Sequence, residues 1–247
     1  MKGVILAGGT GSRLAPLTKV TNKHLLPIYD RPMIYYPIQK LKEMGVSSIL
    51  LVSGRGHAGH FLELLGSGSE FGVNISYEVQ EEAGGIAQAL YLARDFIGDE
   101  KFVTMLGDNV FEDNLKSAKE DFEKSDLLAH VFLKQVENPQ SYGVPRFLEN
   151  RIVEILEKPL NPPSKFAITG CYFYTPQVFD IIQTLNPSPR GEVEITSVND
   201  YYVKEGTLSH TVLNGFWGDC GESIDGMMSV SNHIKTLFHG KFIYLGR

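Results

Sequence analysis

Short apolar runs alternate with longer helical stripes along the first half of this chain, and this alternation restricts the possible folds more than any other feature. Strand-like runs cover residues 4–7, 49–52, 75–79 and 102–106, with helical patterns at 34–44, 60–65 and 86–97. Strand and helix repetition with short loops is typical of a mainly parallel sheet flanked by helices. We therefore predict an α/β fold.

The second half has a different pattern but the same building blocks. Strand-like runs cover residues 127–133, 151–155 and 166–174, and helical patterns follow at 177–185, 194–204 and 224–238. No internal repeat separates this half from the first. We expect it to continue the same sheet as a substrate-side lobe.

The overall charge hides a local excess of basic residues at the N-terminus. The 247-residue chain has a formal net charge of −6, which argues against a nucleic-acid-binding protein. Its first 31 residues nevertheless carry five basic side chains against one acidic one: Lys2, Arg13, Lys19, Lys23 and Arg31, with Asp30. This segment is a candidate for binding an anionic ligand.

Other classes of protein are not indicated. No apolar run reaches the ~18–20 residues of a membrane-spanning helix, and the N-terminal apolar run is too short for a signal peptide. The two cysteines, Cys171 and Cys220, do not have the spacing of a zinc knuckle or a disulfide framework. We therefore expect a cytoplasmic protein with no membrane and no nucleic-acid partner.

A glycine-rich segment, GGTGSRL at residues 8–14, follows the first predicted strand. Its glycines let the backbone approach a ligand and direct N–H groups at an anion, and Arg13 adds a guanidinium suited to phosphate oxygens. The segment lacks the Gly-Lys-Ser/Thr of a Walker loop, and Leu14 stands where a dinucleotide fingerprint has its third glycine. By itself the loop is equally compatible with a plain strand-to-helix turn. Lys19, Lys23 and Arg31 follow it with almost no carboxylates to neutralise them, and this combination favours polyphosphate binding.

Two aspartates are candidate ligands of a divalent cation. Asp108 ends a predicted strand in the string LGDN, and Asp219 lies in FWGDCGES. Mg²⁺ prefers one or two carboxylates together with phosphate oxygens, so the two would suit nucleotidyl transfer if they converge. The alternative for Asp108 is an ordinary Asp-Asn turn.

The tripeptide Glu157-Lys158-Pro159 follows another predicted strand. Lys158 could pair with a phosphate while Glu157 accepts hydrogen bonds from hydroxyls, although the same pattern occurs at ordinary strand ends. No serine stands in a GxSxG elbow, and the seven histidines are scattered. The pattern favours a reaction that depends on a cation and on positioning, without a covalent intermediate.

Together these motifs resemble those of the glucose-1-phosphate thymidylyltransferases (dTDP-glucose pyrophosphorylases). The resemblance covers nearly the whole chain and is carried by GGTGSRL, NKHLLPIYDRPMIYYP, VQEEAGGIAQAL, LGDN, YGV, EKP, RGEVEIT and FWGDCGES. It implies a single Rossmann-like nucleotidyltransferase domain over residues 1–247, with a mixed, mainly parallel central sheet flanked by helices. Residues 1–125 would form the nucleotide-binding half, and 126–247 the sugar-phosphate-binding half of the same sheet.

The resemblance also implies roles for individual residues. The nucleotide dTTP would be bound by Gly8, Gly11, Ser12, Arg13, Lys23, Gln80, Gly85 and Asp108, with Gln80 and Gly85 at the thymine edge. Glucose 1-phosphate would be bound by Asn109, Tyr142, Gly143, Glu157, Lys158, Ile168 and Arg190. Asp108 and Asp219 would bind Mg²⁺. The catalytic residues would be Arg13, Lys23 and Lys158.

The implied reaction belongs to dTDP-sugar biosynthesis. A glucose 1-phosphate oxygen would attack the α-phosphorus of dTTP in line, with Mg²⁺ as cofactor, giving dTDP-glucose and pyrophosphate. Members of the family are often homotetramers, so the resemblance implies a homo-oligomer. Because the chain ends at Arg247, it would be a short form without the C-terminal helical extension of longer bacterial members. We expect feedback regulation to be altered or absent.

Two alternatives remain open at this point. A sister enzyme could use UTP or CTP, or another hexose 1-phosphate, because base choice depends on one or two hydrogen bonds worth about 1–3 kcal/mol. A non-catalytic paralogue that binds a nucleotide sugar is expected to lose the metal or phosphate-handling residues. Those residues are all present here.

Overall fold

The computed structural model describes residues 1–238. Its strands are β1 (Lys2–Ala7), β2 (Pro27–Ile28), β3 (Arg31–Pro32), β4 (Ser48–Gly54), β5 (Asn74–Gln80), β6 (Phe102–Leu106), β7 (Asn109–Phe111), β8 (Ala129–Gln135), β9 (Gly143–Leu148), β10 (Arg151–Glu157), β11 (Phe166–Tyr174), β12 (Leu208–Val212) and β13 (Trp217–Asp219). Its α-helices are α1 (Tyr35–Glu43), α2 (Ala58–Leu65), α3 (Ile86–Tyr91), α4 (Arg94–Ile97), α5 (Lys116–Lys124), α6 (Val178–Thr184), α7 (Ile195–Lys204) and α8 (Ile224–Phe238). Within this range no helix is both long and apolar enough to cross a membrane.

Seven strands form the central sheet, in the order β12-β8-β11-β6-β1-β4-β5. Neighbouring strands are parallel except at β11, which runs antiparallel to both β6 and β8. The prediction of a mixed, mainly parallel sheet is therefore confirmed. Strands from both halves of the sequence belong to this one sheet.

Separate hydrophobic clusters cover the two faces of the sheet. On one face, Ile38 of α1 and Phe61 of α2 pack with Ile5. On the other, Leu90 and Phe179 pack with Val4. Because both faces are covered, a central strand such as β1 is apolar at nearly every position, which explains its continuous apolar pattern.

The carboxyl ends of β1, β4 and β6 meet at one edge of the sheet. Ala7 pairs with Ser53 of β4, and Leu6 pairs with Leu106 of β6. The loops that follow these strands therefore emerge side by side, which is where open α/β sheets bind ligands.

Some elements differ from those predicted. The helix expected at residues 86–97 is divided into α3 and α4 by a tight turn, in which the Ala93 N–H donates to the Leu90 carbonyl over 3.0 Å. The sequence analysis did not predict β7, β9, β12 or β13. The strands β7 and β13 are only three residues long, and no residue of the edge strand β12 is fully buried. None of these three strands therefore has a clear apolar alternation.

Candidate active site

A cleft of about 500 Å³ opens at the carboxyl edge of the sheet. One wall is formed by the glycine loop after β1, and the floor by the loop after β6. The opposite wall comes from the second half of the chain, around the starts of β9 and α7 and the end of β10. The cleft thus joins segments that are far apart in sequence.

The glycine loop lies on this cleft in a conformation that needs glycine. Gly9 and Gly11 have φ values of +90° and +64°, which L side chains rarely adopt. A Cβ at Gly11 would also lie 2.9 Å from Thr18 Cγ2, and the Thr18 hydroxyl donates to the Gly11 carbonyl over 2.9 Å. After this bend a short 3₁₀ turn at Ser12–Leu14 leaves Arg13 exposed at the cleft.

A second basic segment forms the next part of the wall. The Asn22 Oδ1 accepts from the His24 N–H over 2.9 Å and caps the 3₁₀ turn Lys23–Leu25. Lys23 extends to Asp108 and bonds its Oδ2. Burial and the Lys23 charge lower the pKa of His24 to about 3, so this imidazole is neutral at pH 7.

Pairing of β7 with β13 brings the two candidate carboxylates together. Asn109 is opposite Asp219 in this antiparallel pair, and the Cys220 N–H donates to the Asp108 carbonyl over 2.9 Å. The Asp219 Oδ1 in turn accepts from the Gly221 N–H over 2.8 Å. Asp108 and Asp219 therefore share the floor of the cleft, although 110 residues separate them in sequence.

The two carboxyl groups have opposite pKa shifts. Burial would raise the pKa of Asp108, but the charges and hydrogen bonds of its neighbours, Lys23 foremost, together hold that pKa below its usual range. Burial and the negative charge of Asp108 raise the pKa of Asp219. The pair thus holds one charge balanced by Lys23, and a second carboxyl that favours a proton. A cation placed between them would favour the charged form of both.

The opposite wall is built around Glu157, at the end of β10. Its Oε2 accepts from the Thr196 hydroxyl over 2.5 Å, and its Oε1 lies 3.3 Å from Arg190 Nη1. Arg190 also contacts Glu192 and Glu194 at 3.4 Å each. The neighbouring Lys158 has a φ of +43° and donates its N–H to the Tyr142 carbonyl over 2.9 Å. This wall offers both carboxylates and cations to a ligand.

Two aromatic residues close the cleft beside the carboxylates. Tyr142 packs edge-to-face against Trp217 with 5.3 Å between ring centroids, and its hydroxyl donates to Glu222 over 2.5 Å. Burial, followed by the bond to Glu222, raises the pKa of Tyr142, so it stays a hydrogen-bond donor. The Trp217 indole N–H donates to Asn109 Oδ1 over 2.7 Å.

Comparison with known proteins shows the family of this chain. The family described as nucleotidyl transferase matches residues 2–236, nearly the whole chain. The chain belongs to the nucleotidyl transferase family. It is therefore a nucleotidyltransferase, as its motifs predict.

The chain is also similar to individual proteins of known sequence or structure. A glucose-1-phosphate thymidylyltransferase of Neisseria meningitidis is 44% identical over 227 residues, covering 90% of this chain and 78% of the relative. A solved Bacillus anthracis protein assigned as a glucose-1-phosphate thymidylyltransferase, in complex with a sucrose, is 46% identical with a TM-score of 0.92 and covers 98% of each chain. A UDP-glucose pyrophosphorylase complexed with UDP-glucose is 27% identical with a TM-score of 0.85, covering 96% of this chain and 98% of that one. The predicted resemblance is confirmed.

Every residue to which the sequence analysis assigned a role in this nucleotidyltransferase lines the one cleft. These are Gly8, Gly11, Ser12, Arg13, Lys23, Gln80, Gly85, Asp108, Asn109, Tyr142, Gly143, Glu157, Lys158, Ile168, Arg190 and Asp219. Their individual roles stay predictions. The sequence analysis missed Glu194, Thr196 and Trp217, which also line the cleft. They lie inside the strings RGEVEIT and FWGDCGES, so the motifs marked the right segments, although nothing in the sequence singled out these three residues.

Proposed function

We propose that this nucleotidyltransferase transfers a thymidylyl group from dTTP to glucose 1-phosphate and releases pyrophosphate. One observation carries the proposal: a single cleft contains a cationic glycine loop, the buried carboxylate of Asp108 beside the partly buried one of Asp219, and a wall that mixes carboxylates with cations. This order of charges suits a polyphosphate, a divalent cation and a phosphorylated polyol in turn. The names of its close relatives point to the same substrates.

The nucleotide end is assigned to the glycine loop and its neighbours. The backbone of Gly8, Gly11 and Ser12 would bind the phosphates, and the guanidinium of Arg13 would pair with their oxygens. Gln80 and Gly85 would bind the base. Because Arg13 is exposed, it can adjust its position to the triphosphate without a rearrangement of the core.

The carboxylate pair fits Mg²⁺ in its number and kind of ligands. In residues 1–238 no group of three or more acidic, histidine or cysteine side chains could hold a metal, so the protein would supply Asp108 and Asp219 and the phosphates would supply the rest. When bound, Mg²⁺ would neutralise phosphate charge and stabilise the charge that develops on the leaving group. Lys23 bonds Asp108 and lines the same cleft, so its ammonium could turn from this carboxylate to a phosphate.

The sugar end is assigned to the opposite wall. Glu157 and the Asn109 amide would bind sugar hydroxyls, while Tyr142, Gly143 and Ile168 shape the surface beneath the ring. Lys158 and Arg190 would bind the sugar phosphate. Since Arg190 already lies among three carboxylates, a phosphate must compete with them for its guanidinium.

The reaction needs positioning and charge neutralisation and no covalent intermediate. A phosphate oxygen of glucose 1-phosphate forms a bond to the α-phosphorus, the bond from that phosphorus to the bridging oxygen breaks, and pyrophosphate leaves with the bonding electrons. Both reactants are anions, so their repulsion is the main obstacle to this step. Arg13, Lys23 and Lys158 would lower that repulsion and stabilise the transition state.

Pyrophosphate release tests the proposal directly. The full chain is incubated with dTTP and glucose 1-phosphate, with and without Mg²⁺, and pyrophosphate and dTDP-glucose are measured. We expect both products in equal amounts, and only with the metal present. Retained binding of dTDP-glucose without turnover would instead indicate a non-catalytic paralogue.

Asp108→Asn tests the metal site separately. This variant should require a higher Mg²⁺ concentration for half-maximal rate, because it removes one of two charged ligands. An unchanged Mg²⁺ titration would contradict the role of Asp108.

A uridylyl donor is the second candidate. The structural similarity to a UDP-glucose pyrophosphorylase favours it, since the two folds superimpose over almost their full lengths. Comparing kcat/KM for dTTP and UTP under identical conditions separates the two, and a preference for UTP would replace the first candidate.

A further inference from the structure

Two glutamine side chains form a bonded pair at the nucleotide end of the cleft. Gln80 is the last residue of β5, is only 7% exposed and lines the cleft. Gln88 lies on α3 behind it and is not among the lining residues. A buried amide must have its hydrogen bonds satisfied, so the partners of Gln80 determine how it faces a ligand.

Both hydrogens of the Gln80 amide nitrogen bond to acceptors of the protein itself. Its Nε2 donates to Gln88 Oε1 over 2.8 Å and to the Gly85 carbonyl over 3.3 Å. An amide nitrogen has two hydrogens, so its donors are used completely by the protein.

Gln88 cannot turn its own amide around. Its Oε1 accepts from the Gly84 N–H over 2.9 Å as well as from Gln80. A flipped Gln88 would place its NH₂ group against two other donors. A Cβ at Gly84 would overlap the Gln88 amide, so glycine is needed for this contact to form.

The remaining group of Gln80 is its carbonyl oxygen, and this oxygen faces the glycine loop. A Cβ at Gly8 would lie 2.6 Å from Gln80 Oε1. Toward a ligand in the cleft, Gln80 is therefore only an acceptor. It can bond a ring N–H and cannot bond a ring nitrogen that has no hydrogen.

We propose that Gln88 is a specificity-determining positioning residue, which holds the Gln80 amide so that the cleft accepts pyrimidines with an N3–H and rejects cytosine. Thymine and uracil carry that hydrogen, whereas N3 of cytosine is an acceptor and would face Gln80 Oε1 without a proton between them. A freely rotating Gln80 could turn its NH₂ group to cytosine. The inference rests on the proposed function, and it separates CTP from the other two nucleotides without separating dTTP from UTP.

The test compares kcat/KM for dTTP, UTP and CTP, with glucose 1-phosphate, in the wild type and three variants. Gln88→Leu removes the acceptor, and Gln88→Glu keeps an acceptor oxygen for both donors. Gln135→Leu is the matched control, because Gln135 is an exposed residue at the end of β8 that does not line the cleft. We expect the wild type to use dTTP or UTP at least 100-fold better than CTP.

In Gln88→Leu we expect that ratio to shrink by about tenfold or more, mainly through a higher KM for dTTP, since the chemical step does not involve Gln88. Gln88→Glu should keep the ratio within a few-fold. Calorimetric binding of dTTP and CTP gives the same comparison without turnover, and Gln88→Met replaces Gln88→Leu if the latter does not fold.

Three results would overturn the inference: a wild type that accepts CTP as well as dTTP, an unchanged ratio in the Leu and Met variants, or an equal loss in Gln88→Glu. A wild type that uses none of the three nucleotides would instead refute the proposed function.

Discussion

Asn109 has an orientation determined by three neighbours. Its Oδ1 accepts from the Gly170 N–H over 2.9 Å and from the Trp217 indole N–H, while its Nδ2 donates to Asp108 Oδ1 over 3.0 Å. A Cβ at Gly170 would lie 2.7 Å from Asn109 Cγ. The amide therefore offers the cleft a donor only, which suits an oxygen of the sugar or its phosphate.

Gly170→Ala should displace this amide. Overpacking of this kind costs about 1–3 kcal/mol, so the free energy of unfolding in urea should fall by that amount and the KM for glucose 1-phosphate should rise. Trp217 is the single tryptophan of the chain, so its fluorescence spectrum should also change. Gly59→Ala is the control, because a Cβ there meets nothing within 4 Å. Wild-type kinetics and fluorescence in Gly170→Ala would contradict this account.

Replacing Arg13 should affect the reaction rate without affecting the stability of the fold. Its side chain is exposed, so Arg13→Ala should change the free energy of unfolding by no more than about 0.5 kcal/mol. Loss of a positioned charge in the transition state should lower kcat about 10²- to 10³-fold. The two measurements are made on the same preparation. A kcat near that of the wild type would exclude a catalytic role.

The turn that leads into β13 is held from two sides. Lys134 at the end of β8 donates to the carbonyls of Leu213, Asn214 and Gly215 at 3.4, 3.1 and 2.5 Å. Asp113 accepts from the Asn214 and Gly215 N–H groups. Because β13 carries Asp219, these contacts place one carboxylate of the cleft from the outside.

Lys134→Met should destabilise the turn that leads into β13 without removing a residue that would bind a ligand. The loss of a charged donor from three carbonyls should lower the free energy of unfolding by about 1–2 kcal/mol, seen as a lower urea midpoint with an unchanged m-value. We also expect weaker Mg²⁺ binding, since Asp219 becomes less well placed. Lys165→Met, at an exposed lysine, is the matched control. Equal midpoints in the two variants would show that the turn needs no such support.

At the scale of the whole molecule, two buried histidines couple stability to pH. Burial, with a smaller effect from His210, lowers the pKa of His130 to about 4, and burial lowers the pKa of His24 to about 3. In an unfolded chain the pKa of a histidine is about 6.5. Between the folded and unfolded pKa values of each histidine, the unfolded chain binds more protons than the folded one. The free energy of unfolding is therefore highest above pH 6.5 and decreases as the pH falls.

His130→Phe should reduce this pH dependence. His130 lies among Phe122, Phe132 and Phe173, so a ring of similar shape can occupy its place. The wild type should lose about 2–3 kcal/mol more than the variant between pH 6.5 and 4, from the shift of this one group. Urea unfolding across that range gives the comparison, in which the slope with pH and not the absolute stability is the readout. Parallel curves would mean that folding does not lower the pKa of His130.

The strands and helices that the sequence predicted well are those with a continuous apolar pattern or a clear helical stripe. β1, β4, β6, β11, α1 and α8 all lie close to where the local periodicity placed them. The strands β9 and β12 were missed because they are half-exposed. The strands β7 and β13 are largely buried, but three residues are too few to show an apolar alternation. Motif order likewise identified the family, since strings such as LPIYDRPMIYYP are specific without any coordinates.

The sequence alone thus accounts for the α/β class, the cationic glycine loop and the family of this protein, because these follow from local residue patterns and from the order of those patterns along the chain. The convergence of Asp108 with Asp219 and the bond from Trp217 to Asn109 depend on the pairing of β7 with β13, two segments about a hundred residues apart. The orientation of the Gln80 amide depends on which donors surround Gln88 after folding. Such contacts are decided by strand register and side-chain packing, which no local pattern contains.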